Sequence, residues 1–126
     1  PHPDPTAIAT SHHNLANYLG RTGADRAAVH AHRLAAATLY RLIGDTDGAA
    51  DSLRTLAGEL AADPDSPPPA TVAGLAAIVD QTDGVHFAAL IDGLCPDRAT
   101  ADQTIRDIIN TARDAARGPG GPPGTR

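Results

Sequence analysis

The segment Asn14-Leu15-Ala16-Asn17-Tyr18-Leu19 returns as Thr55-Leu56-Ala57-Gly58-Glu59-Leu60, so that Ala16 and Ala57 stand 41 positions apart. An internal period of this size points to stacked helical hairpins, in which no unit can bury its apolar face alone and each is completed by its neighbour. Such a chain reads as a scaffold that holds something rather than as an enzyme.

The chain has 126 residues, enough for one domain or two small subdomains with a modest core. Phe87, Tyr18 and Tyr40 are the only aromatics, so Leu, Ile, Val and many alanines must fill that core. Small side chains let helices approach closely but bury less area each, which makes stability depend on contacts between units.

Helix signals partition the chain into three helices, a break, and about three more. Asp4-Pro5 supplies an N-cap oxygen and a first-turn proline, so a helix is predicted from about Thr6 to Thr22, closed by Gly23. Asp25 is the expected cap of a second helix carrying Val29, Leu34, Leu39 and Leu42 to Ile43, with Gly44 as its stop. Asp45-Thr46-Asp47-Gly48 reads as a tight turn before a third helix with Leu53, Leu56, Ala57 and Leu60, ended at Asp63-Pro64.

A stiff Pro-rich connector, residues 64–69, follows. Beyond it, Ala70 to Gln81 has helical apolar spacing, a short helix carries Phe87, Leu90, Ile91 and Leu94, and the last helix is expected to open on a capping box, Thr100-Ala101-Asp102-Gln103. The expected organisation is therefore helical repeats over 1–63, the connector, a C-terminal helical region over 70–117, and a Gly/Pro-rich disordered tail over 118–126.

Residues 7–62 resemble tetratricopeptide repeat (TPR) helices. Leu15, Ala16, Leu19 and Gly23 fill the first helix's pattern, Ala28 and Ala35 match the small positions of the second, and Leu56, Ala57 and Leu60 begin another repeat. The period resembles the longer variety of the family, and His12 and His32 stand where large aromatics are usual. The layout is also similar to the C-terminal parts of long actinobacterial repeat proteins. The resemblance implies an all-α fold: TPR-like antiparallel hairpins, the end of an α-solenoid, followed by a small helical cap.

With Leu15, Ala16 and Leu19 assigned to packing, Thr10, His13, Asn17 and Arg21 form a second stripe three or four residues apart. In the family that stripe lines a concave groove. A His, an amide and an Arg in a row could hydrogen-bond a peptide backbone or grip a carboxylate, and Asp51 and Arg54 occupy the corresponding part of the next repeat.

Other chemistries find little support. A net charge of -5 without a basic cluster argues against nucleic acid, and no apolar run approaches the roughly 20 residues of a spanning helix, which argues against membrane association. Cys95 is alone, so no internal disulfide can form, in keeping with a cytoplasmic location. His12, His13, His30 and His32 lie within one hairpin, but neither the adjacent pair nor His30-x-His32 has the three- or four-residue spacing of a helical metal pair; a site across helices, with His12 and His32, stays open beside the packing reading.

Asp45-x-Asp47-Gly48 lacks the remaining ligands of a calcium loop and is better explained by turn chemistry. No phosphate loop or nucleophile elbow is present, and no cofactor is implied. The lack of an initial methionine leads us to expect a piece of a longer protein. Two functions follow. One is a TPR-like interaction module, a scaffold or signalling component of bacterial type, that docks a protein, a peptide or a neighbouring domain. The alternative is a purely structural cap of a repeat array.

Overall fold

The computed structural model describes residues 4–23, 26–62, 68–83 and 86–116. Among them the chain is all-α: α1 (Pro5–Thr22), α2 (Arg26–Leu42), α3 (Thr46–Ala62), α4 (Val72–Asp83), α5 (Phe87–Leu94) and α6 (Arg98–Ala116). The Asp25 cap, the Asp63-Pro64 helix stop, residues 64–67 of the connector, residue 117 and the tail at 118–126 lie outside the described residues. No helix among those described is long and apolar enough to cross a membrane.

Helix ends follow local chemistry. Asp4 in extended conformation accepts the Thr6 amide at 3.0 Å, Pro5 opens α1, and Gly23 closes it at φ 75°. At the end of α2 the Asp45 amide reaches the Tyr40 carbonyl and the Gly44 amide reaches that of Arg41, the two bonds of a Schellman closure that needs Gly44 at φ 81°.

The residues expected as a turn after Gly44 behave differently. Helix α3 already begins at Thr46, because the Asp45 carboxylate accepts the Gly48 amide at 2.9 Å and satisfies the first turn. Asp4 and Asp45 are 41 positions apart, as are Pro5 and Thr46, so the sequence echo extends to the helix starts.

The expected capping box at Thr100 is also displaced. Helix α6 starts at Arg98, and Asp97 accepts the Ala99 amide at 3.2 Å and the Thr100 hydroxyl at 2.6 Å, which places Thr100 inside the first turn. Two further aspartates cap from a distance: Asp102 on α6 accepts the Val72 amide at the start of α4, and Asp80 on α4 accepts the Phe87 amide at the start of α5. These bonds tie the last three helices to one another at their ends.

Helix α2 is the centre of the molecule. Every residue from Val29 to Tyr40 is buried, and α1, α3, α4 and α6 all pack against it. Ala31, Ala35, Ala36 and Ala37 are essentially inaccessible, so the small side chains expected from composition are what let four helices close on a fifth. Gly48 of α3 lies close against Tyr40: a Cβ at Gly48 would lie 2.6 Å from the ring.

Leu34, Leu39, Leu56, Leu75, Phe87, Ile91, Ile105 and Ile108 fill the interior, each worth about 1.5–3 kcal/mol when buried. One contiguous core cluster draws on all six helices. The proline connector thus divides the sequence without dividing the core: α6 packs on α3, and α4 on α2.

The two copies of the echoed motif are buried differently. Leu56, Ala57 and Leu60 of α3 belong to the contiguous core cluster; on α1 Ala16 is fully buried but stands outside that cluster, as do Leu15 and Leu19, which are only half-buried. The reason is a difference in neighbours, since α3 lies between α2 and α6 whereas α1 packs chiefly on α2.

Candidate functional site

The six residues expected to line a groove are scattered over several roles. Thr10 bonds the Tyr40 hydroxyl at 2.7 Å, tying α1 to α2. His13 and Asn17 turn inward to Arg33 of α2. Arg21 is exposed in the last turn of α1. Asp51 and Arg54 pair with each other at 3.1 Å on the exposed face of α3. The stripe does not form one ligand-facing row, because a buried guanidinium on the neighbouring helix claims its two central members.

That guanidinium organises a polar hub at the junction of α1, α2 and α3. Arg33 is 2% exposed. Its Nε donates to both Glu59 oxygens at 3.3 Å, Nη2 donates to Glu59 Oε2 at 2.9 Å and to Asn17 Oδ1 at 2.7 Å, and Nη1 donates to the His13 carbonyl at 3.2 Å and to its Nδ1 at 3.0 Å. All the donor directions of the fork are used, the condition under which a buried charge is tolerable.

Because an arginine can only donate, His13 Nδ1 must accept, and its proton resides on Nε2. Ser52 Oγ lies 3.2 Å from the same nitrogen, so its hydroxyl also donates there. Burial, and then the positive charge of Arg33, hold the His13 pKa below the ordinary imidazole value, with Asp51 and Glu59 pulling partly the other way. The hub has a saturated donor set and no exposed nucleophile. Its chemistry is that of a lock between helices.

Sequence reasoning passed over Arg33, Glu59 and Ser52. The signal was present in composition: Glu59 is the only glutamate of the chain, and Arg33 is the one arginine embedded in the Leu/Ala-rich middle of a helix. The longer arm of glutamate spans the gap between α3 and α2.

A second buried polar contact lies along the same helix pair. His12 and His32, expected at aromatic positions, face each other with Nδ1 atoms 2.9 Å apart and ring centroids 5.1 Å apart, and the Phe87 ring stands perpendicular to that of His12 at 6.2 Å between centroids. At that separation one Nδ1 donates a proton and the other accepts it, a hydrogen bond that ties α1 to α2. Among the described residues no group of three or more His, Cys, Asp or Glu side chains could hold a metal ion.

The outward face of α1 completes the picture. Tyr18 is 56% exposed, the exposed large hydrophobic residue of the described chain, and it sits one turn from the half-buried Leu15 and beside Leu19. Leu15 neighbours both on the helix surface, Tyr18 at three residues and Leu19 at four. The packing assigned from sequence to Leu15 and Leu19 is therefore only partly satisfied within this chain. No protein-family model, curated protein or solved structure matches the chain.

Proposed function

We propose that this chain is a TPR-like helical interaction module that receives a protein partner, or a neighbouring domain, on the outward face of α1. The observation that carries this reading is Tyr18, exposed between Leu15 and Leu19 on a helix whose opposite side is fixed to α2. An amphipathic aromatic flanked by leucines on a rigid support binds at low entropic cost, and such residues dominate the energetics of protein contacts.

The saturated hub beneath this face favours binding over catalysis. Its role is to hold α1 in a fixed orientation, so that the outer stripe is presented already ordered. Cytoplasmic residence and a bacterial scaffold belong to the same proposal.

A photo-crosslinking amino acid at position 18 tests it in the source cells. The expected result is a discrete protein adduct from position 18 and none from position 106, which is exposed on α6. Equal labelling from both positions, or none from 18, refutes the reading. The structural-cap alternative is favoured by one observation, that α6 covers α3 and so closes that side of the bundle; it predicts a functional parent protein whose partners are all indifferent to Tyr18→Arg.

A further inference from the structure

The 41-residue echo assigns each position of α1 a counterpart on α3. Helix start matches helix start, and cap matches cap, so the correspondence is structural as well as sequential. On α3 the stripe Ser52, Leu56, Glu59 and Leu60 includes the residues that meet the preceding hairpin: Ser52 bonds His13 of α1, and Glu59 grips Arg33 of α2. The counterparts on α1 are Ser11, Leu15, Tyr18 and Leu19.

Their burial is reversed. Ser52, Leu56 and Leu60 are buried, whereas Ser11 is exposed, Leu15 and Leu19 are half-buried, and Tyr18 is 56% exposed. The same helix design is thus present twice, once covered by a hairpin and once open on that side among the described residues. A second apolar stripe beside the first widens the apolar arc of a helix to suit cover on two sides.

We infer that this stripe is a docking face for a second helical hairpin, seated on α1 in the register and orientation in which the α1–α2 hairpin sits on α3. The inference rests on the interaction-module reading and names its partner by chemistry. That partner is an antiparallel helix pair presenting an alanine-rich side like that of α2, where Ala35 and Ala36 permit close approach. Position 18 sets the one difference: tyrosine replaces the glutamate of α3, so the incoming helix meets an aromatic face where α2 meets a carboxylate.

The chain supplies its own probe. Duplicating residues 4–44 immediately before Asp4 places Gly44 against Asp4 as it now precedes Asp45, and so reproduces the native junction. In the extended protein the added hairpin should fold onto α1. The helical circular-dichroism signal should rise by that of two further helices, and the melting temperature should rise. Nitration of the original Tyr18 by tetranitromethane, read by peptide mass, should slow about tenfold as the residue becomes protected. Tyr40, 8% exposed, is the internal control.

Charge at position 18 gives the sharper reading. In the extended protein the added copy of Arg33 faces this position, so Tyr18→Glu, which restores the α3 arrangement, should keep the hairpin docked, while Tyr18→Arg should release it and return nitration-independent protection of Leu15 amides to the level of the parent. In the parent chain both variants should melt alike. An added hairpin that stays unfolded, or docking that is blind to the sign of the charge, overturns the inference. So does dimerisation of the unextended chain through Tyr18, which would make a second copy the occupant.

The outcome is separable from that of the broader proposal. Position-18 crosslinks to a partner together with an undocked duplicate would keep the module and reject this partner class. A docked duplicate without any external adduct would keep the face and assign it to packing within an array.

Discussion

Replacing Glu59 by alanine isolates the hub that joins the first three helices. Arg33 is 2% exposed, and the variant removes the acceptor for its Nε–H and for one Nη2–H while leaving the bonds to Asn17 and His13. Breaking a fully buried ion pair costs about 3–5 kcal/mol, because a charge is stranded without compensation. Glu59 is itself 20% exposed, so water enters from its side, and the expected loss falls to about 2–3 kcal/mol. For a chain of this size that corresponds to a fall in Tm of roughly 10 °C.

Arg33→Met should cost less, about 1–2 kcal/mol, since Glu59, His13 and Asn17 each retain some access to solvent when the guanidinium is gone. The double variant Arg33→Met/Glu59→Ala no longer strands a charge, and should be no less stable than Glu59→Ala alone. Urea unfolding at neutral pH, followed by far-ultraviolet circular dichroism at constant m-value, measures all three. A Glu59→Ala loss below about 0.5 kcal/mol, or strictly additive single effects, would refute the view that Arg33 is a buried charge dependent on this carboxylate.

Three further outcomes follow from the same structure. The folded pKa of His13 lies below its unfolded value of 6.5, so the folded chain binds that proton less readily; stability should be complete above that value and decline as pH falls through it, and His13→Gln should flatten the decline measured by urea titration at a series of pH values. Asp102→Ala should cost about 1 kcal/mol and speed amide exchange chiefly in the first turn of α4, where Val72 loses its acceptor; faster exchange confined to α6 would show that the cap is local instead. Gly48→Ala improves helix propensity by about 1 kcal/mol yet should destabilise by about 1–3 kcal/mol in thermal melts, because the new methyl displaces Tyr40 and breaks its 2.7 Å bond to Thr10; a net gain in Tm would show that the ring can move freely.

The all-α architecture was legible because its determinants are local. Asp4-Pro5, Gly23 and Gly44 mark helix ends through backbone chemistry that operates within a few residues, and all three act as the sequence implies. Where the reading slipped, two local signals competed: Thr100 and Gln103 spell a capping box, but Asp97 lies nearer the true start and caps more strongly.

The site was less legible, since its geometry is set by rotation of helices about their axes, which spacing does not specify. Spacing puts His13 and Asn17 on one stripe, but that the stripe meets α2 depends on Arg33, a residue on another helix. The exposure of Tyr18 and the incomplete burial of Leu15 are hidden for the same reason. Among the described residues, what separates them from Leu56 and Glu59 is that no helix packs closely on that side of α1, a tertiary fact.

The enclosure of α2 also has a kinetic meaning. A helix surrounded by four others cannot release its amides to solvent unless several of them leave together, so Leu34 to Leu39 should report global unfolding, while α1, clasped mainly from one side, can open first. Since α2 is contacted from both the N-terminal and the C-terminal stretches, neither stretch can complete the core before the other has been made. The chain should therefore be released into its native state in one concerted step rather than by stepwise growth from its first hairpin.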